Sequence, residues 1–214
     1  MNWSRLARRV ALTAVALLIW FWTQSLIARR AAPASGVGDA LHTLTASLNL
    51  YFLHSPRAAD ALLIVSSALI DALGLFLLAR WLFGPSVRPF LGLVILLALR
   101  QMMQAICALP SPPNMIWHYP GFPSLLVTYS VGNDFFFSGH TAIAVFGGIE
   151  LSRMGMRWLT ALAVGIAVFE IVTVLVLRAH YSMDVFTGLL AAICVAWLCG
   201  VVSPPIDNWL AAHT

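Results

Sequence analysis

Two short segments of this chain combine residue types able to transfer a phosphoryl group. In His180-Tyr-Ser-Met-Asp184 a histidine and an aspartate stand four residues apart. At the start of a helix that spacing puts both on one face. The carboxylate can accept a hydrogen bond from one ring nitrogen, which fixes the tautomer and leaves the other nitrogen as the nucleophile. Arg178, just upstream, offers a permanently charged guanidinium of the kind that grips phosphate. In Asn133-Asp-Phe-Phe-Phe-Ser-Gly-His-Thr141, Ser138 suits a helix N-cap and Gly139 lets a backbone approach closely. A helix N-terminus presents free N–H groups to an anion. His140 falls in that first turn, where it can protonate a leaving oxygen. Each segment also has an ordinary alternative: a polar helix end at an interface, or a capping-turn histidine facing headgroups.

The rest of the chain must hold these segments in lipid. Its 214 residues are 61% hydrophobic and 9% charged, against about 25% charged in soluble domains, and mean hydropathy is +0.90. All twelve basic residues are arginines. They sit singly or in pairs at the ends of apolar runs, as topology signals do, and form no dense patch for nucleic acid. Cys107, Cys194 and Cys199 give no Cys-x-x-Cys spacing, so neither a disulfide framework nor a zinc site is expected. All three read as small buried residues.

The expected fold is all-α: a polytopic membrane bundle of six transmembrane helices in one domain, residues 1–214, with an exoplasmic-facing active site. Apolar runs place the spans at about 10–28, 61–79, 89–109, 138–153, 158–177 and 185–202. Arg29 and Arg30 follow the first run where a signal peptide would carry small residues, so it reads as a retained span. Leu41, Leu44, Leu48 and Phe52 recur at helical spacing and suggest an interfacial helix over 40–53. The connection Pro110–Phe137, with five prolines, is long enough to suggest a functional loop. The fourth span is short, about 22 Å at 1.5 Å per residue, so its outer end should lie below the membrane surface. Six spans put both termini on one side. With that side cytoplasmic, seven arginines fall inside and four outside. The positive-inside rule then faces the loops before His140 and His180 outward. The expectation is an integral protein of a bacterial-type inner (plasma) membrane with a periplasmic site. The two segments thus begin adjacent spans on one face, and each strengthens the reading of the other.

Phe135-Phe-Phe-Ser-Gly-His-Thr141 and His180-Tyr-Ser-Met-Asp184 resemble the second and third signatures of the type 2 phosphatidic acid phosphatase superfamily. They are most similar to its lipid phosphotransferase branch of sphingomyelin synthases, inositol phosphorylceramide synthases and plant phosphatidylcholine:diacylglycerol cholinephosphotransferases. Arg100-Gln-Met-Met-Gln-Ala-Ile-Cys-Ala-Leu-Pro110 also looks like that branch's arginine-led helix, and the resemblance covers about residues 90–200. It implies His180 as nucleophile through a phosphohistidine, Asp184 orienting it, and His140 as acid and then base. Arg100 and Arg178, with Ser138 and Gly139, would bind the phosphate. It implies no metal and no cofactor. The superfamily's first signature, Lys-x6-Arg-Pro, is missing: Arg80 and Arg88-Pro89 mimic it with seven residues between, on the cytoplasmic side. They read as topology signals, which favours the transferase branch over a plain phosphatase.

Other polar residues have plainer readings. Glu150 should pair with Arg153 at the interface, and Glu170 and Asp71 should be buried and hydrogen-bonded. Asp134 and Tyr181 are candidates for headgroup binding, and Trp117 reads as an interface anchor. Three functions follow. One moves a phosphorylated headgroup from a membrane phospholipid to a lipid hydroxyl such as diacylglycerol or ceramide. Another is hydrolysis at the same residues, with water as acceptor. The third is a non-catalytic lipid transporter or assembly subunit, which the His140, His180 and Asp184 set argues against.

Overall fold

The computed structural model describes residues 3–29, 37–129 and 135–213. Among them run α1 (Trp3–Ala28), α2 (Ala40–Leu44), α3 (Ala46–His54), α4 (Pro56–Phe83), α5 (Arg88–Ile106), α6 (Gly139–Ser152), α7 (Arg157–Val176) and α8 (Ser182–Ala212), with no strand. Five of these, α1, α4, α5, α7 and α8, are long and apolar enough to cross a membrane. Large apolar side chains such as Trp22, Leu75, Val164, Phe186 and Trp197 stand exposed on them, as an integral membrane protein requires. Helix α6, expected as a sixth span, has 14 residues, about 21 Å and short of the usual crossing length.

Helix α6 is the centre of the packing. It touches α4, α5, α7 and α8, and Ala142, Ala144, Gly147 and Gly148 on it are buried. Small residues let backbones approach closely in lipid, where helix association rests on packing. Ile70, Leu73 and Leu77 of α4, Leu93 and Leu96 of α5, Phe146 of α6 and Val195 of α8 complete one core cluster.

Several boundaries differ from the sequence reading. Helix α1 starts seven residues early, so Arg5, Arg8 and Arg9 lie within it. Arg9 is buried over the Trp81 ring at 4.6 Å. It donates to the carbonyls of Trp81, Leu82 and Gly84, which capture the loose end of α4. Helix α8 continues past residue 202 through Pro204 and Pro205; membrane helices tolerate the carbonyls that prolines leave undonated. The expected interfacial helix is two helices, α2 and α3, meeting at Thr45. Cys199 is buried as expected and Cys107 partly so, but Cys194 is exposed on the outer face of α8.

Arg88 is not a loop charge. It is buried, its Nε donating to Glu150 at 2.6 Å and its Nη2 to the Ala196 carbonyl at 2.8 Å. Glu150 takes this partner in preference to Arg153, which is exposed and 4.0 Å away. Arg88 enters the buried layer from a neighbouring helix, which spacing along α6 cannot reveal.

The long connection after α5 is laid along α4. His118 meets Asp60 at 2.7 Å, Tyr129 hydrogen-bonds Ser67, and Asp71 accepts from Ser124 Oγ and the amides of Leu125 and Leu126 at 2.8–2.9 Å. Asp60, Ser67 and Asp71 recur at helical spacing and descend one face of α4 by about 16 Å. Irregular backbone at such depth needs its polar groups met by protein, and this stripe meets them.

Candidate active site

Both histidines are set by the ends of helices. Helix α7 closes with the Ala179 amide donating to Val174 and the Arg178 amide to Leu175, at 2.9 and 3.2 Å. This is a Schellman turn. Arg178 holds the left-handed position, φ 54°, where glycine is usual. The turn delivers His180 just ahead of α8. His180 Nδ1 donates to the Phe135 carbonyl at 2.8 Å, while Asp184 Oδ2 stands 3.7 Å off. The expected aspartate acceptor is thus replaced by a main-chain carbonyl. The consequence for the ring is the same: Nδ1 carries the proton and Nε2 is left as the basic nitrogen. Asp184 Oδ2 instead accepts from the Tyr181 amide at 2.9 Å, closing the first turn of α8.

A second layer behind His180 was not legible in the sequence. His42 Nε2 donates to the His180 carbonyl at 2.9 Å, and its ring stacks on Tyr181 with centroids 5.5 Å apart. Asp39 caps α2 and also accepts from the Ser182 amide and hydroxyl at 2.5 and 2.6 Å. Asn49 donates to the carbonyls of Val176 and Asn114 at 2.9 and 3.2 Å. Burial pushes the Asp39 carboxyl up, but the bonds from Ser182 and His42 outweigh it and hold the group below the usual carboxylate range. An N-cap at Asp39 can be guessed from an aspartate before an apolar run; its partner across the fold cannot.

His140 is positioned by the α6 start. Ser138 Oγ accepts from the Thr141 amide at 3.3 Å and its hydroxyl at 3.1 Å. The Ser138 amide donates to the Asp184 carbonyl at 3.0 Å, tying the starts of α6 and α8 together. Two glycines permit this. A Cβ on Gly188 would stand 2.6 Å from the Ser138 carbonyl oxygen, and one on Gly139 would stand 3.0 Å from Arg100 Nε.

The result is a pocket holding about 40 Å³ of water-accessible space, room for a few waters. Arg100, Gly139, His140 and His180 form its polar wall; Trp20, Leu97, Trp117, Leu126 and Ile143 form apolar ones. His140 lies edge-on to Trp117 at 5.3 Å, and its buried Nε2 has no hydrogen-bond partner among the described residues. Arg100 Nε donates to the Phe137 carbonyl at 3.3 Å, and its Nη1 approaches Gln104 and Gln24.

Other expected site residues lie outside this wall. Ser138 and Asp184 act from behind it. Arg178 turns away, donating to the carbonyls of Pro113 at 2.8 Å and His42 at 3.3 Å. Tyr181 is buried and donates to the Pro110 carbonyl at 3.1 Å. Asp134 lies outside the described residues. Glu170 accepts from Ser66 at 2.6 Å between α7 and α4. Among the described residues no group of three or more His, Cys, Asp or Glu side chains could hold a metal ion.

A family model described as AtPDCT1/2 matches residues 38–201, from Asp39 and His42 through both histidines to most of α8. The chain belongs to this AtPDCT1/2 family. A relative, phosphatidylcholine:diacylglycerol cholinephosphotransferase 1 of Arabidopsis thaliana, is 24% identical over 179 residues. That alignment covers 84% of this AtPDCT1/2-family chain but 57% of the plant protein, so the chain spans little more than half its relative's length. No solved structure matches.

Proposed function

We propose that this protein moves a phosphorylated headgroup, phosphocholine in the first instance, from a phospholipid to the hydroxyl of diacylglycerol. The observation that carries the reading is the shared pocket. It joins one histidine with Nε2 unpartnered, a second with Nδ1 tied to a carbonyl, and an arginine between two glutamines. Membership of the AtPDCT1/2 family and the relative's named activity support it.

In this reading His180 Nε2 attacks phosphorus, and the bond from phosphorus to the glyceride oxygen breaks. His140 gives that oxygen its proton, releasing diacylglycerol and leaving a phosphohistidine. An acceptor hydroxyl then attacks phosphorus, its proton passes to His140, and the bond from His180 to phosphorus breaks. Arg100 holds the phosphoryl oxygens as charge builds, and Asp184 stabilises the charged His180 ring from 3.7 Å. The chemistry is that of the type 2 phosphatidic acid phosphatase superfamily, to which the His140 and His180 segments are similar. Helix α6 is read as a sixth, shortened crossing: Glu150 near its end pairs with Arg88 at the start of α5, and Gly139 at its start lies by Arg100 further along α5, which supports an antiparallel course. The site then faces the exoplasmic side with both termini cytoplasmic.

The test uses purified protein in bilayers with headgroup-labelled phosphatidylcholine, with and without a distinguishable diacylglycerol. Label should appear in the new lipid only with the acceptor, through an acid-labile adduct on His180. Label released into water regardless of acceptor would overturn the transferase.

A further inference from the structure

A second cavity, of about 500 Å³, lies between α1, α4 and α5. It is walled by apolar residues including Leu12, Ala16, Leu78, Phe90 and Ala98. Along α5 it runs from Phe90 to Gln101, about 16 Å, close to half of a ~30 Å hydrocarbon core and so the reach of one acyl chain. Two residues, Trp20 and Leu97, wall both this groove and the histidine pocket. Where the groove ends, Gln101 Nε2 donates to Gln24 at 2.9 Å. Gln101 Oε1 is buried without a hydrogen-bond partner among the described residues.

We propose that this groove seats an acyl chain of the acceptor diacylglycerol, with Gln101 Oε1 receiving its hydroxyl at the threshold formed by Trp20 and Leu97. The inference rests on the transferase reading above and adds which lipid sits where. The chemistry separates the two substrates. A buried carbonyl oxygen wants an O–H or N–H donor. Phosphatidylcholine has neither, whereas diacylglycerol carries a free hydroxyl. A hydroxyl held there stands behind Trp20 and Leu97, the wall shared with the histidine pocket, and exchanges Gln101 for His140 as its acceptor when it enters to attack phosphorus. The fold supplies its own comparison: a groove of about 320 Å³ between α6 and α7, lined by Ala144, Gly148, Ala163 and Ala167. That groove shares no wall with the histidine pocket.

The experiment uses full-length protein in bilayers and a diacylglycerol bearing a diazirine in one acyl chain, with adducts mapped by mass spectrometry. Adducts should concentrate on α1 and α5. Excess unlabelled diacylglycerol should suppress them, phosphatidylcholine should not, and Gln101→Leu should weaken the diacylglycerol competition several-fold. In turnover, Ala98→Phe should raise KM for diacylglycerol by about tenfold with little change in kcat, while Ala167→Phe in the other groove leaves it unchanged. Equal labelling of both grooves, or equal competition by phosphatidylcholine, overturns the assignment. Selective labelling by a protein that transfers no headgroup upholds the groove and defeats the transferase. Transfer without selective labelling does the reverse.

Discussion

Two buried polar layers cross the same core, and they are built differently. In one, Arg88, Glu150 and the Ala196 carbonyl close on one another. In the other, Arg100, His140 and His180 surround a hollow, and His140 Nε2 meets nothing among the described residues. Along α5 the layers are about 18 Å apart. Both place charge or polarity where lipid offers no compensation. A closed layer holds helices together. A layer with open valences holds helices together less tightly, and is suited to a ligand that completes it. The contrast separates two arginines of one helix that composition alone treats alike.

The comparison is broken most easily at the histidines. His180→Ala and His140→Ala should each lower transfer by about a thousandfold or more, measured as label reaching the acceptor lipid, with thermal unfolding in the same detergent nearly unmoved. A His140 variant that keeps its activity would make the open layer as structural as the closed one. The next largest effect is expected in that closed layer. Glu150→Leu strands a buried guanidinium and should cost about 3–5 kcal/mol of stability. Arg88→Leu with Glu150→Leu should recover most of that loss, because two apolar side chains leave no buried charge unpaired. If Glu150→Leu instead removed activity and left stability alone, the two layers would have exchanged roles.

The sequence carried the histidine segments and five long apolar helices clearly, because both signals are local. Ser138 as cap, His140 in the first turn and His180 before α8 all follow from runs of a few residues. What short runs of residues could not show was which partner a distant segment would bring. Arg88 looked like a topology charge because its sign was visible and Glu150 was not. Arg178 looked like a phosphate ligand because it sits near His180 in the chain, yet its left-handed backbone points the guanidinium at Pro113 and His42. His42 passed as part of an interfacial helix and Asp39 stood just before it, since nothing nearby says they brace the turn at residue 180.

That brace gives a smaller, pH-dependent test. Because Asp39 is held below the usual carboxylate range, its contribution is present above about pH 4 and lost as pH falls through the lowered value. Asp39→Asn should therefore unfold at lower temperature than wild type near neutrality, with the gap closing in acid. Tryptophan fluorescence melts at several pH values measure this. A gap that stays constant with pH would mean that Asp39 is no charged brace.

The smallest effect is expected at Arg178, and it sharpens the comparison because sequence proximity predicts the opposite. Glycine there removes a strained left-handed backbone and also two hydrogen bonds to carbonyls. Relief of the backbone is worth about 1 kcal/mol and each lost hydrogen bond about 1 kcal/mol with the opposite sign, so Arg178→Gly should cost only about 1 kcal/mol of stability. If Arg178 acts as a clamp outside the pocket, KM for the phospholipid should hold, with any loss falling on kcat as the His180 turn loosens. Arg100→Gln, inside the pocket, should lose about a hundredfold in kcat/KM through the phosphoryl oxygens it no longer holds. Should Arg178→Gly match that loss, the guanidinium must swing from the Pro113 and His42 carbonyls to the phosphate during turnover. The open layer would then recruit a third charge that the resting structure spends on architecture.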